Sequence, residues 1–246
     1  MDAFIRKGEV TSLESYPHWV QKMVADTAQD RERLVSHPLF RQMRDAELSP
    51  AATRAFLIGV WPTIEQFPQF MAMNLIKARY GRSRGEDMAR QYLIKNIRVE
   101  NRHADHWRAW AEASGVPFDD LLNSPPIPGI HALAHWCWTV CDTEDLAVAV
   151  AATNYAVEGA TGDWSSVVCS RQTYENLFPE DKRHAAMRWL RLHAHYDDVH
   201  PWEALDIVST LLGNSPDART VERVTNAVRT SWQYMTLAVD VALAQH

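Results

Sequence analysis

The chain has 246 residues, of which 46% are hydrophobic and 23% charged, and its formal net charge is -6. This length suits one large core or two small ones, and the composition is that of an ordinary globular protein. The mildly acidic balance provides no basic surface for nucleic acid. No run of 18 or more apolar residues predicts a membrane span, and residues 1–12 lack the apolar core of a signal peptide. An odd count of three cysteines favours reduced thiols over disulfides, so we expect a cytoplasmic protein.

Apolar residues recur with a helical period along the whole chain, and no alternating pattern predicts a strand. The sequence therefore predicts an all-α, single-domain bundle of about seven helices over residues 1–246. The predicted helices cover residues 16–44 with an interruption near 37–38, 50–80, 86–113, 130–140, 143–177 with a break near 159–162, 179–212 and 217–244.

Proline and serine mark several of the predicted boundaries. Ser49 precedes Pro50, a pair that predicts a capped helix start. Pro62 and Pro68 fall inside that helix and predict kinks. The proline-rich stretch at residues 116–129 predicts a loop within one domain, because the candidate functional residues lie on both sides of it.

The first candidate motif is Glu100-x-x-His103 in the third predicted helix. Residues three apart share a helix face, and this pair is a ligand signature of di-metal carboxylate proteins. The same spacing also suits a hydrogen bond between two surface side chains. The polar residues Asn101 and Arg102 between them indicate that one side of this helix is exposed to solvent.

The second motif, His193-x-x-x-Asp197-x-x-His200, presents three ligand types within about 60° of a helix surface at 100° per residue. A solvated polar face is the alternative. Pro201 follows directly, and its ring would clash with the carbonyl of Asp197 inside a helix. We therefore expect part of residues 193–203 to be poorly ordered without metal.

Glu158 lies in an almost wholly small and apolar stretch, residues 145–162. A buried carboxylate costs several kcal/mol unless it is protonated, paired or bound to metal. One interpretation is a protonated glutamate bonded to Tyr155 or Asn154; the other is a metal ligand. Gly159 and Gly162 would let another helix approach closely.

Together the candidates supply two glutamates, one aspartate and three histidines. Mixed carboxylate and imidazole ligands suit iron or manganese better than zinc, and six ligands suit two ions with open positions. The candidate metal ligands, and through the metal the candidate catalytic residues, are Glu100, His103, Glu158, His193, Asp197 and His200. No substrate-binding residue is predicted.

Other acids, histidines and cysteines fit ordinary roles. Glu65 lies in an aromatic helix, where it could approach the metal but better fits a helix surface. His131 and His135 are four residues apart and could form a metal pair, although core or surface roles suit them better. Cys137 and Cys141 share a helix face without the further ligands that structural zinc needs.

The chain resembles the haem-oxygenase-like di-iron oxidases and oxygenases, which have a TenA- and PqqC-like helical fold. Within that group it looks most like the UndA-type fatty-acid decarboxylases. The resemblance spans nearly the whole chain and is carried by the metal motifs and by residues 56–62, 86–90, 96–100, 132–138, 151–162 and 193–205. It places iron ligands on the same six candidates. Some relatives place the first histidine seven residues after Glu100, where this chain has Trp107.

The resemblance implies oxidative decarboxylation of a medium-chain fatty acid of about ten to fourteen carbons to a terminal alkene and carbon dioxide. Dodecanoic acid would give 1-undecene through abstraction of a β-hydrogen. The implied cofactors are two Fe(II) ions with dioxygen as co-substrate, and an external electron donor is a further expected partner. Neither the chain-length preference nor the oligomeric state follows from the sequence.

Three alternatives remain open. A relative on the same scaffold could oxidise an amino acid or an amine. The related thiaminase-type proteins use a cysteine nucleophile without metal, for which Cys137 is the candidate. Finally, the chain could be a non-catalytic metal- or partner-binding helical protein.

Overall fold

Helices make up the regular structure of residues 12–196 and 200–245, the part of the chain that this computed structural model describes. They are α1 (His18–Val35), α2 (Pro38–Arg44), α3 (Pro50–Leu75), α4 (Arg84–Glu100), α5 (His103–Ala113), α6 (Phe118–Asn123), α7 (Pro128–Thr143), α8 (Leu146–Val150), α9 (Glu158–Cys169), α10 (Glu180–Tyr196), α11 (His200–Leu212) and α12 (Ala218–Leu243). A π-helical segment, Ala151–Val157, joins α8 directly to α9, and short 3-10 turns cover Leu13–Ser15 and Glu175–Leu177.

Within the described residues there are about ten helices, rather than the seven predicted, when segments that nearly continue one another are counted once. The predicted interruption at His37 and Pro38 is confirmed, because α1 ends at Val35 and α2 begins at Pro38. The predicted third helix divides into α4 and α5, and the predicted loop at residues 116–129 contains the short helix α6. Periodicity alone did not reveal these divisions, since helical apolar spacing continues across them.

The predicted break near residues 159–162 is wrong. The helix continues through them, and the irregular geometry lies upstream in the π-helical segment. Gly159 instead permits close packing: a Cβ atom there would lie 3.2 Å from Cβ of Pro201. The glycine therefore accommodates the start of α11 rather than interrupting its own helix.

Side-chain caps fix several helix starts. Ser49 Oγ accepts a hydrogen bond from the Ala52 amide at 3.1 Å, with Pro50 in the first turn of α3, as predicted. Ser83 caps α4 in the same way through the Glu86 amide. α3 then continues past Pro62 and Pro68 to Leu75, five residues short of its predicted end.

The long helix α3 lies at the centre of the bundle and packs against α4, α5, α7 and α12. The π-helical segment packs against α11 and α12, while α9 packs against α10. Four tryptophans, Trp107, Trp110, Trp189 and Trp232, are among the largest fully buried side chains. None of the described helices is both long enough and apolar enough to cross a bilayer.

Candidate metal centre

Glu158 begins α9 immediately after the π-helical segment, and it is 5% exposed. Its Oε2 atom accepts hydrogen bonds from the Tyr92 hydroxyl at 3.0 Å and from Asn154 Nδ2 at 3.1 Å. Its Oε1 atom is buried and makes no hydrogen bond, although Nδ1 of His200 lies 3.8 Å away. π-helical segments occur frequently at functional sites, and this one supplies Asn154.

Glu100 and His103 do not lie on one unbroken helix. Glu100 is the last residue of α4 and His103 the first of α5, so the Glu-x-x-His motif spans a bend. Both intervening residues keep backbone angles near the helical region, however, and Nδ1 of His103 is 2.6 Å from Oε2 of Glu100. The bend therefore leaves the two side chains adjacent.

His193 lies in α10, which is described as far as Tyr196, and His200 is the first described residue of α11. Residues 197–199 between them lie outside the described residues, so the expectation of one continuous ligand-bearing stripe stays a prediction. The same holds for the predicted clash of Pro201, the second residue of α11, with the carbonyl of Asp197. Asp197 lies outside the described residues, as does part of the segment expected to be poorly ordered without metal; both remain predictions.

The two glutamates and His200 form a buried three-residue group. One ligand atom from each of Glu100, Glu158 and His200 lies within 4.8 Å of the others. His103 and His193 adjoin this group through their own contact, with ring centroids 4.7 Å apart. The structure therefore brings five of the six predicted ligands to one place, from the two halves of the chain.

This donor set fits a metal cation. Two buried carboxylates would cost several kcal/mol each without compensation, and the bare Oε1 of Glu158 is left without a hydrogen-bond donor. Carboxylate oxygens with imidazole nitrogens are ligands that iron accepts. A cation within the group would satisfy Oε1 and neutralise the acids. The ligand role of each residue remains a prediction.

Hydrogen bonding sets the tautomer of His193. Its Nδ1 lies 2.8 Å from the Trp189 carbonyl oxygen, which can only accept, so Nδ1 carries a proton. Nε2 then keeps its lone pair for a metal as long as the ring is neutral. Burial lowers the pKa of His193 to about 3, assisted by His103, so the ring stays neutral at physiological pH.

The pKa values of Glu100 and His200 are shifted in opposite directions by their neighbours. Burial acts to raise the pKa of Glu100, but the neighbouring His103, His193 and His200 outweigh it and lower that pKa below its ordinary value. Burial acts in the opposite direction on His200, yet Glu158 and Glu100 raise its pKa above the usual value. Because a metal binds the neutral imidazole, a metal at this site would compete with a proton for His200.

An internal cavity opens onto the metal centre. About 660 Å³ of space around it is not filled by atoms, and this figure includes the open solvent at its mouth. Glu100, His103, Glu158 and His193 form its polar part. The rest of its wall is almost wholly apolar and is formed by Leu34, Phe40, Phe56, Val60, Ile64, Phe67, Leu133, Val157, Trp164, Trp189, Met235, Ala238 and Val239, with Thr63 and Thr161 as the two hydroxyl residues.

Sequence reasoning missed several residues of the site. Tyr92 and Asn96 are buried on α4, eight and four residues before Glu100, and their spacing put them on the same face. Helical periodicity could have identified them as neighbours of the ligand but not as polar partners. Asn154 was identified only as a partner for a protonated Glu158, and it bonds that carboxylate in the structure.

The remaining sequence candidates lie apart from the metal group. Glu65 is half-buried and accepts a hydrogen bond from Gln66, while His131 bonds the backbone of Ile127. His135 is exposed. Cys137 is free and fully buried, burial raises its pKa, and it does not line the cavity among the described residues.

Comparison with known proteins places the chain in a family. A sequence model for a family described as iron-containing redox enzymes matches residues 54–234. The chain belongs to this family of haem-oxygenase-like proteins. This agrees with a group of two glutamates and a histidine that could hold iron. No curated protein matches the sequence.

Solved structures share the fold. A TenA homologue from Pseudomonas syringae pv. tomato is 49% identical, with a TM-score of 0.93 over 98% of this chain and 99% of that one. A domain with a haem-oxygenase-like fold from Shewanella denitrificans is 15% identical, with a TM-score of 0.72 over 91% of each chain. A candidate TenA-like thiaminase from Sulfolobus solfataricus is 12% identical, with a TM-score of 0.65 over 91% of this chain and 95% of that one.

Proposed function

We propose that this member of the iron-containing redox enzymes uses Fe(II), two ions in our interpretation, and dioxygen to decarboxylate medium-chain fatty acids to terminal alkenes. The observation that carries the proposal is the apolar cavity that ends at the buried glutamate and histidine group. No lysine or arginine lines this cavity among the described residues. The resemblance to UndA-type decarboxylases supports the choice of reaction.

The cavity suits an unbranched chain with a single acidic end. Its aliphatic and aromatic wall would bury methylene groups, each of which contributes roughly 0.8 kcal/mol on transfer from water. A substrate carboxylate in the same space would need a positive partner, because an unpaired buried charge is costly. Since the described wall offers no cationic side chain, that partner would be the metal itself.

The side chains then have separate tasks. Bound iron supplies the one-electron chemistry that activates dioxygen. Glu100, Glu158, His103, His193 and His200, together with the predicted Asp197, would hold it. Tyr92 and Asn154 fix the Glu158 carboxylate from behind, and the Trp189 carbonyl fixes the His193 ring. The apolar wall excludes water and holds the β-carbon, rather than its neighbours, at the reactive end.

The overall reaction balances with an external donor. The fatty acid loses its carboxyl carbon as carbon dioxide, together with two electrons and two protons, one of them from the β-carbon. Reduction of dioxygen to two waters consumes four electrons and four protons. Two electrons and two protons must therefore come from a separate reductant, which is the partner expected from the sequence.

The test is an anaerobic reconstitution with ferrous iron, followed by addition of dodecanoic acid and dioxygen and analysis of the headspace. We expect 1-undecene together with carbon dioxide. Protein that binds iron but releases no alkene from acids of about ten to fourteen carbons would refute the decarboxylase proposal.

A matched pair of variants tests the ligand assignment. Glu158→Gln keeps the shape of the side chain but removes its charge, so it should lower bound iron and abolish alkene formation. Glu65→Gln makes the same change outside the cavity and should leave both unaffected. His200→Ala should behave like Glu158→Gln. Full iron content and turnover in either ligand variant would contradict the assignment.

The alternatives predict different outcomes. An amino acid or amine substrate would need a partner for a second charge, and the described cavity wall offers none outside the candidate ligands. A thiaminase-type reaction needs an accessible thiolate, whereas Cys137 is buried with a raised pKa. Stoichiometric iron without dioxygen-dependent turnover of any of these substrates would favour a metal-binding protein without catalysis.

A further inference from the structure

A continuous series of aromatic rings runs from the candidate metal centre to Tyr174, a buried residue that lines a groove in the surface. The Trp189 ring lies 3.8 Å from the His193 ring between centroids. Trp189 stacks on Trp110 with centroids 5.8 Å apart and planes 23° apart. Trp110 contacts Tyr174 at 6.4 Å, and its indole nitrogen donates a 2.8 Å hydrogen bond to the Tyr174 hydroxyl. Each step joins side chains in contact.

The two ends of this series have different surroundings. Trp189 lines the cavity at the metal centre and is 1% exposed. Tyr174 lines a separate groove at the surface, together with Ser114, Phe178 and the exposed Leu177. The series therefore spans the protein between the site where dioxygen would react and a groove that solvent reaches.

Tryptophan, tyrosine and cysteine are the side chains most easily oxidised by one electron. We propose that Trp189, Trp110 and Tyr174 form an electron relay between the metal centre and the surface groove. This inference rests on the iron and dioxygen part of the proposed function and not on its fatty-acid substrate. It assigns a route for the electrons that the overall reaction must receive from outside.

The relay balances one electron at a time. An oxidising equivalent generated from iron and dioxygen removes one electron from Trp189. Trp110 then donates an electron to Trp189, and Tyr174 donates one to Trp110. Tyr174 loses its phenol proton to water in the groove and becomes a neutral radical. A one-electron reductant such as ascorbate then returns an electron, and a proton from water restores the phenol.

Hydrogen bonding favours this direction of transfer. The indole nitrogen of Trp189 is buried and has no hydrogen-bond partner. An oxidised Trp189 therefore has no neighbouring base that would accept its proton and stabilise the radical on this residue. At the other end, Tyr174 lines the groove although its side chain is buried, and burial raises its pKa to about 12, so the phenol keeps its proton until it is oxidised. The oxidised state is therefore short-lived at Trp189, and the radical comes to rest on Tyr174.

Two further tryptophans contact Trp189, the residue of the relay that lies at the candidate metal centre. Trp107 contacts Trp189 edge to face with centroids 4.7 Å apart, and Trp164 stacks on it at 5.4 Å. Neither has a recorded ring contact with Tyr174, so the route to the groove depends on Trp110.

The experiment mixes iron-loaded protein with dioxygen in the absence of fatty acid and records electron paramagnetic resonance spectra of frozen samples. We expect a tyrosyl signal in the wild type that decays faster when ascorbate is added. Tyr174→Phe keeps the ring but cannot form this radical, so the signal should be lost. Trp110→Phe should also lose it, and peptide mass spectrometry should then find oxidation at Trp189 or at its ring neighbours Trp107 and Trp164 rather than at Tyr174.

Trp136→Phe is the matched control, because Trp136 stacks on Tyr234 outside the series and its loss should leave the signal intact. Protein that consumes dioxygen without a radical at Tyr174, or a signal that persists in Tyr174→Phe, would overturn the relay alone. Protein that binds no iron or consumes no dioxygen would overturn the proposed function and the relay together. If Trp110→Phe does not fold, Tyr174→Phe still decides the question.

Discussion

Replacing Tyr92 with phenylalanine removes a single hydroxyl group from the environment of Glu158. That hydroxyl donates a 3.0 Å hydrogen bond to Oε2 of Glu158, and both side chains are buried. The ring also contacts His200 edge to face, a contact that phenylalanine preserves. The substitution therefore isolates the role of one hydrogen bond in orienting one candidate ligand.

The expected magnitude follows from the geometry. A hydrogen bond to a charged group contributes roughly 1.5–3 kcal/mol. Without it, Glu158 keeps Asn154 as its one remaining recorded donor, and its carboxylate can rotate away from the position that suits a metal. Loss of such an outer partner lowers metal affinity by about 10- to 100-fold. At about 1.4 kcal/mol per tenfold, this agrees with the value of the bond.

The assay is an anaerobic titration with Fe(II) against a competing chelator. Tyr234→Phe is the control, because it also deletes a phenol hydroxyl but Tyr234 stacks on Trp136 rather than bonding to a candidate ligand. We expect weaker iron binding in Tyr92→Phe and no change in Tyr234→Phe. Equal iron affinity in the wild type and Tyr92→Phe would refute the claim that this hydrogen bond positions Glu158 for a metal.

Two further predictions concern stability. Gly59→Ala should lower the free energy of unfolding by about 1–3 kcal/mol in urea titrations, because its Cβ would lie 2.7 Å from Cγ2 of Ile130. Adding Ile130→Ala should restore part of that loss. If the double variant restores none of it, the steric explanation is contradicted. In protein stripped of metal, His193→Gln should flatten the acid dependence of unfolding. Because burial lowers the pKa of His193 to about 3, the unfolded chain binds a proton between about pH 6.5 and 3 that the folded chain does not. Stability therefore decreases as the pH is lowered through this range, by up to about 1.4 kcal/mol per pH unit. An unchanged slope in this variant would count against a neutral, buried His193.

The sequence by itself predicted the features that depend on neighbours along the chain. Apolar spacing predicted an all-α protein, and Ser49 with Pro50 predicted the start of α3. Glu158 stood out because a carboxylate in an apolar helix needs a partner, and the structure buries it beside Glu100 and His200. These features can be predicted from the sequence because helix formation, capping and burial of one helix face depend on residues only a few positions apart.

Only the tertiary structure decided which distant residues meet. Tyr92 bonds Glu158 across 66 positions, and nothing in the local pattern of either residue specifies that contact. The close approach of Pro201 at the start of α11 to Gly159 in α9 likewise joins residues that are distant along the chain. The cavity and the aromatic series arise from the packing of several helices, whose relative positions depend on side-chain fit across the whole core.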